Sequence, residues 1–322
     1  MTAKPLIHVG LHKTGTTWLQ RRIFAAGDGA DFAYCGDVGR IHGAFILPAS
    51  DRFDPAAARA AFSDVLQRAA PGTSPGQSPE GRIAVLSDEG LGGRPFHALH
   101  ERATHAARLA AAFPEARILI TVREQVRIIY SMYGQYLRYG YTSPLAAFLA
   151  VPPQGSVYQP VLDRAYYDYE RMFAVYAQHF PVENILILPM EWMLADPAAA
   201  LARIGGLYGR TLAVPKQESS RQVENRASSD LAYEAMRWIN HLISQDSRWQ
   251  GRGLVPNPNA VGYWVDRLTP EGLRRRMAAT RRDRIAAEVG DCYAVSNTAL
   301  AGRIGINLGA LGYQVVRPSP PS

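Results

Sequence analysis

Cysteine is scarce in this chain: Cys35 and Cys292 are the only two among 322 residues. Two thiols cannot build a disulfide framework or a cysteine-rich zinc site, and such sparing use fits a reducing compartment. Long apolar runs are missing as well. No stretch reaches the roughly eighteen consecutive apolar residues that a membrane-spanning helix needs. The opening MTAKPLIHVG has no A-x-A-like cleavage site before it enters a glycine loop, so no signal peptide is expected. There is no internal repeat. These absences point to a cytoplasmic protein without a transmembrane segment.

What is present is ordinary globular material, 47% apolar and 20% charged, with a formal net charge of +7. That balance is compatible with an anionic small molecule, an acidic membrane or nucleic acid. The basic residues are dispersed, except for a cluster from Arg274 to Arg284 that reads as a solvated helix face. No nucleic-acid partner is expected.

Apolar segments with no polar alternation recur along the chain: Leu6–Val9, Ile83–Ser87, Arg117–Val122 and Asn184–Leu188. Each reads as a strand buried on both faces. Helical patterns fall between them: Thr16–Ala26 with Leu19, Ile23 and Ala26 on one face, Asp54 to about Ala70, His97–Phe113, Gln125–Tyr139 and Val161–Phe180. Asp54-Pro55 and Asp196-Pro197 are N-cap and first-turn pairs. Strands alternating with helices predict an α/β fold, a parallel sheet flanked by helices. From about Asp230 the pattern turns mainly helical with long loops. Pro71–Gly81 reads as a surface loop and the tail RPSPPS as disordered. One domain is expected over residues 1–322, with a core of about 5–210 and a helical C-terminal extension of about 230–316.

The stretch VGLHKTGTTW, Val9 to Trp18, sits between the first strand and the first helix. Gly10 and Gly15 keep the glycine spacing of a nucleotide P-loop and Thr17 keeps its hydroxyl, but Thr16 occupies the lysine slot and Lys13 lies inside the loop. Backbone N–H groups of a glycine loop at a helix N-terminus form an anion site. Thr16 and Thr17 add hydroxyl donors, and Lys13 brings an ammonium group. His12 stands beside Lys13, within reach of a bound anion, whereas His8 belongs to the strand and to the core.

HKTGTTW resembles the 5′-phosphosulfate loop of the sulfotransferase family that uses 3′-phosphoadenosine 5′-phosphosulfate (PAPS), where the pattern is K-[ST]-G-T-T, often followed by tryptophan. The resemblance implies a P-loop-nucleotide-hydrolase-like fold and a cofactor site formed by His12, Lys13, Thr14, Gly15, Thr16, Thr17 and Trp18. It also implies that Lys13 steadies charge during sulfonyl transfer. Trp18 matches a position whose indole packs on adenine, and equally reads as a core tryptophan on a helix. A second segment, REQVRIIYS, runs from Arg123 at the end of the third predicted strand to Ser131. It is similar to the family's 3′-phosphate site, an arginine ending a strand and a serine eight residues on. Arginine's planar fork suits a dianion, and two helical turns return a hydroxyl toward the strand end. NILILPMEWMLADP, Asn184–Pro197, resembles the family's next strand and turn, with Met190 and Trp192 in place of an aromatic and an acid. Glu191 there reads as a helix-start acid. The resemblance covers about residues 5–210. The C-terminal R-K-G of many cytosolic members is missing, and Arg252-Gly253 is a poor substitute.

Transfer to a hydroxyl needs a general base. Two residues qualify. His42 lies in YCGDVGRIHGAF, a segment read as loop, in the region where carbohydrate- and tyrosine-modifying members carry a glutamate. Glu89 lies in VLSDEGL, where cytosolic members carry a histidine. An imidazole titrates near neutral pH without help, whereas a glutamate needs burial to do so, which ranks His42 first and Asp37 as a lesser option. The expectation is a bacterial, carbohydrate-type PAPS-dependent enzyme with catalytic Lys13, His42 and Glu89, PAPS as co-substrate, no metal, and a hydroxyl acceptor on a carbohydrate or glycolipid. The acceptor reading rests on Tyr139, Tyr141, Tyr158, Arg221, Glu224, Asn225 and Arg226 in the loops Tyr34–Asp51, Tyr139–Pro160 and Pro215–Asp230. A P-loop kinase or a nucleotide-binding protein without chemistry is the alternative. A kinase predicts lysine after Gly15 and a strand-ending aspartate, where this chain has Thr16 and Arg123.

Overall fold

The computed structural model describes residues 4–25, 31–72, 81–93, 101–153, 160–213, 228–242 and 258–316. The chain forms two compact units, the first comprising Met1–Glu124, Ala165–Arg221 and Tyr293–Ser322, the second Gln125–Arg164 and Gln222–Cys292.

The first unit contains a five-stranded sheet of β1 (Leu6–His8), β2 (Phe32–Cys35), β3 (Ile83–Ser87), β4 (Arg117–Val122) and β5 (Ile185–Pro189), in the order β2-β3-β1-β4-β5. Every pairing is parallel, with His8 level with Ser87 on one side and Leu119 on the other. This is the P-loop-nucleotide-hydrolase-like arrangement expected, with β1 central. Four of the strands are the apolar runs of the sequence. The fifth, β2, is not among the expected strands: its last two residues, Tyr34 and Cys35, fall in a segment read as loop. Its register against β3, Phe32 to Ile83 through Cys35 to Leu86, makes it a strand. Four residues of local pattern do not.

Helices cover the sheet: α1 (Thr16–Leu19), α2 (Val38–Ile41), α3 (Pro55–Ala60), α4 (Ser63–Ala69), α5 (Arg102–Ala112), and further along the chain α8 (Tyr169–Ala177), α9 (Met190–Ala195), α10 (Pro197–Gly206) and α14 (Ala294–Ile304). Two are continued by π turns, α1 by Gln20–Phe24 and α2 by His42–Ile46. The first π turn changes the buried face from the one expected: Leu19, Ile23 and Phe24 enter the core, and Ala26 lies outside the described residues. Two predicted helices are split. The Asp54–Ala70 helix breaks before Ser63, beside the buried Phe62. The Val161–Phe180 helix restarts after Asp168, whose carboxylate accepts from Arg171 N and so favours a new N-terminus over continuation.

The second unit is helical: α6 (Gln125–Arg138), α7 (Leu145–Leu149), α11 (Asp230–Asn240), α12 (Pro258–Leu268) and α13 (Glu271–Val289). Tyr130 Oη donates to Asp230 at 2.9 Å, and Arg281 reaches from α13 to Asp230 at 3.2 Å and Glu234 at 3.1 Å. The basic cluster of α13 is therefore divided. Arg275, Arg276, Arg282 and Arg284 are exposed, while Arg281 ties two helices together. The Pro71–Gly81 loop lies mostly, and Arg252-Gly253 and the RPSPPS tail entirely, outside the described residues.

Gly134 on α6 lies against Tyr233 on α11, and a Cβ there would stand 2.2 Å from Tyr233 Oη. Gly134→Ala is expected to lower the unfolding free energy by about 1–3 kcal/mol through overpacking, measurable by urea denaturation.

Candidate functional site

The carboxyl ends of β1 and β4 adjoin where the strand order reverses, the place where open α/β sheets bind ligands. The loop after β1 is shaped by two left-handed residues, Lys13 at φ 69° and Gly15 at φ 86°. Lys13 is the one non-glycine residue with positive φ among the described residues, a conformation that costs energy and collects at functional sites.

A buried chain of hydrogen bonds pins the loop. Thr14 Oγ1 donates to Leu11 O at 2.6 Å and lies 2.8 Å from Thr121 Oγ1. Thr121 Oγ1 meets His8 Nε2 at 3.0 Å, and His8 Nδ1 meets Ser87 Oγ at 2.8 Å. Gln20, in the π turn, donates to Ser87 Oγ at 3.1 Å. The hydroxyl of Thr14 is thus spent on the protein. The Thr16 hydroxyl differs: it is buried in the first turn of α1 and has no hydrogen-bond partner among the described residues. Trp18 is half-buried and packs against the core cluster.

Arg123 follows β4 and donates from Nη1 to Lys13 O at 3.1 Å, so the two halves of the sequence pattern meet. Tyr169 Oη donates to Arg123 O. Glu191, in the first turn of α9, accepts from Glu124 N at 3.2 Å and Tyr313 Oη at 3.1 Å, consistent with a helix-start acid. Met190 and Met193 of the same helix lie against Gly15. Ser131 is half-buried on α6 of the second unit.

His42 is not in a loop. It opens the π turn after α2, and its Nε2 lies 3.1 Å from Asp88 Oδ1. Asp88 is buried and caps the 3₁₀ turn Glu89–Gly92, accepting from Gly90 N at 2.6 Å. Burial raises the Asp88 carboxyl above its usual range, against the pull of His42 and the Gly90 N–H. Burial also raises the Glu89 carboxyl, with the Lys13 ammonium drawing it back, although 43% of that side chain remains exposed. His12 Nε2 stands 3.6 Å from Glu89 Oε1, and burial lowers the His12 imidazole to about 4. That contact therefore joins a neutral ring to a carboxylate and is not an ion pair. Asp37 accepts from Arg40 N at 3.0 Å and serves as the N-cap of α2.

Sequence reasoning missed Asp88, although an aspartate two residues before a glycine is an Asx-turn signal. It also missed the clamp on the 89–93 turn. Arg102 donates to Gly92 O at 3.2 Å, Tyr166 Oη to Gly93 O at 3.0 Å and Tyr176 Oη to Leu91 O at 3.3 Å. Of the aromatics assigned to an acceptor cleft, Tyr139 is exposed and Tyr141 half-buried in the second unit. Tyr158, Arg221, Glu224, Asn225 and Arg226 lie outside the described residues. Among the described residues no group of three or more His, Cys, Asp or Glu is placed to hold a metal ion, and no helix is long and apolar enough to cross a membrane.

The family model described as Sulfotransferase family matches residues 94–212. That stretch takes in β4, Arg123, Ser131, β5 and Glu191; the loop after β1 lies before it. Among solved structures, the crystal structure of sulfotransferase from Alicyclobacillus acidocaldarius is similar at 18% identity and a TM-score of 0.47, covering 96% of this chain and 99% of that one. No curated protein matches the chain.

Burial lowers the His8 imidazole to about 3, so it stays neutral in the fold. Below about pH 6.5 the unfolded chain gains a proton at His8 that the fold refuses. Its contribution to stability is therefore complete above that pH and falls by about 1.4 kcal/mol per pH unit on acidification toward pH 4. In urea titrations at pH 7, 6 and 5, His8→Gln should lose that component of the slope relative to the parent.

Proposed function

We propose that this chain is a PAPS-dependent sulfotransferase, working over 1–322 as one functional domain in the cytoplasm, that moves a sulfonyl group to a hydroxyl on a carbohydrate or glycolipid. The observation that carries the reading is the junction of Lys13 and Arg123. The loop that resembles a 5′-phosphosulfate site and the arginine that resembles a 3′-phosphate ligand adjoin at two strand ends, the Arg123 guanidinium donating to the Lys13 carbonyl. The residues present fit the co-substrate. The Thr16 hydroxyl is buried with no hydrogen-bond partner among the described residues, beside a loop curled by Lys13 and Gly15 at a helix N-terminus.

In this reading the main chain from Gly10 to Thr17, with the Thr16 and Thr17 hydroxyls, holds the 5′-phosphate end and Arg123 the 3′-phosphate, to which the sequence resemblance adds Ser131. His12, neutral through burial, contributes hydrogen bonds rather than charge. PAPS supplies a sulfonyl group on a phosphate leaving group. The acceptor oxygen forms a bond to sulfur, the bond from sulfur to the 5′-phosphate oxygen breaks, and His42 takes the acceptor proton. Lys13 meets the charge that grows on the departing oxygen. Glu89, beside Lys13, orients the acceptor and stands second as base. The carbohydrate preference is carried by the aromatic and amide content of the loops. Screening sugars, lipo-oligosaccharides and phenols for label from PAPS tests it.

Lys13→Ala should lower kcat by about 10²–10³-fold, the usual loss of one transition-state charge donor, while calorimetric affinity for adenosine 3′,5′-bisphosphate stays within a few fold. Arg123→Ala should weaken that affinity by about 10–100-fold, as expected for a lost charge-assisted contact. Bisphosphate binding unchanged in Arg123→Ala would refute the 3′-phosphate assignment. Activity that required added magnesium would favour the kinase reading.

A further inference from the structure

Three histidines stand near the loop, and their surroundings differ. Both ring nitrogens of His8 are hydrogen-bonded, to Ser87 and Thr121, in full burial. His12 is largely buried and held neutral, against Glu89. His42 has one nitrogen on the carboxylate of Asp88, while 32% of its side chain is open to solvent. Its other nitrogen, Nδ1, has no hydrogen bond among the described residues.

Asp88 is built to hold a ring still. Only 5% of its side chain is exposed. Its Oδ1 is anchored by the Gly90 N–H, within a turn that Arg102, Tyr166 and Tyr176 clamp from outside. A capping aspartate needs only the Gly90 contact. The imidazole is a second load on the same oxygen, delivered from an element 46 residues away in sequence. The space is close on the other side too. A Cβ on Gly90 would lie 3.2 Å from His42 Nε2 and 2.9 Å from Ile46 Cδ1, so only a glycine lets the ring sit there unmoved.

An oxygen that already accepts from a main-chain N–H has a carboxylate's acceptor character, so the proton between Asp88 and His42 belongs to the ring. We infer that Asp88 is the positioning residue of the base: it fixes His42 as the Nε2–H tautomer and leaves Nδ1 as the atom that takes the acceptor proton. This rests on the functional reading above. The balance is simple. The acceptor O–H proton moves to Nδ1, Nε2–H stays donated to Asp88, the resulting imidazolium is stabilised by the carboxylate, and the proton leaves to solvent from the exposed ring. Asp88 itself takes none, as in other carboxylate–imidazole pairs. Around the pair, His12, held neutral by burial, interacts with Asp88, His42 and Lys13, and the Glu89 charge acts on Asp88. On its own segment Asp37 is occupied as a cap and Arg40 pairs with Asp64 at 2.8 Å.

The tautomer can be read without any substrate. Long-range ¹H–¹⁵N spectra of histidine-labelled parent protein at pH 8 should show His42 protonated at Nε2 and bare at Nδ1, assigned by loss of the signal in His42→Gln. The reverse tautomer overturns the inference. Asp88→Ser keeps an N-cap oxygen for Gly90 but is too short to hold the ring. It should bind adenosine 3′,5′-bisphosphate within about twofold of the parent, show mixed His42 tautomers, and lose about 10²–10⁴-fold in kcat for sulfonyl transfer from labelled PAPS to p-nitrophenyl glycosides, with KM for PAPS little changed. Asp88→Asn, which keeps the shape without the charge, should fall between the two. Parental kcat in Asp88→Ser also overturns the inference. A parent that binds no bisphosphate and transfers no label refutes the sulfotransferase reading instead, and the tautomer spectrum still decides the pairing.

Discussion

The site depends on how closely the chain can pass Gly10. A Cβ there would fall 2.4 Å from Thr121 Oγ1, 2.8 Å from His8 Nε2 and 2.9 Å from Thr16 Oγ1. All three are polar atoms of the buried region beneath the loop, so the glycine is where the main chain leaves β1 over a layer of hydrogen bonds. That layer joins the ends of β1, β3 and β4 through His8, Ser87 and Thr121. A buried polar chain of this sort is stabilising only if every member is satisfied. Here the satisfaction requires three strands in one register, so the loop's shape and the sheet's register enforce each other.

Burial then sorts the ionisable groups around the loop. It removes charge from His8 and His12 and raises the carboxyls of Asp88 and Glu89. The basic side chains at the loop are Lys13 and Arg123, and the second is joined to the backbone of the first. The Lys13 ammonium acts on the Glu89 carboxyl, just after β3. Opposed environments for neighbouring titratable groups are the usual signature of acid–base roles.

The same economy of arginine appears elsewhere. Arg102 stacks over Tyr166 at 4.5 Å while donating to Gly92 O, and Arg281 sits over Tyr133 at 5.6 Å while pairing with Asp230 and Glu234. In each case a planar cation on an aromatic face reaches a group that a lysine could not hold in the same geometry. A share of the net positive charge is thus structural, and composition alone could not separate it from charge available to a ligand.

Local chemistry determined a good deal by itself. The apolar runs at β1, β3, β4 and β5 admit little but buried parallel strands, the Asp-Pro pairs start helices at α3 and α10, and HKTGTT puts a glycine turn between a strand and a helix. Periodicity could not show β2, whose four residues become a strand only against β3, nor the π turns that carry Gln20 to Ser87 and His42 to Asp88. It ranked His42 above Glu89 as the base on imidazole chemistry alone and gave no sign of Asp88, whose carboxylate meets His42 only in the folded chain. The order of residues specifies which groups can bind, cap or titrate. Which of them meet, and in which protonation state, is decided by strand register and burial, because hydrogen bonding and desolvation act over distances that only the folded chain makes short.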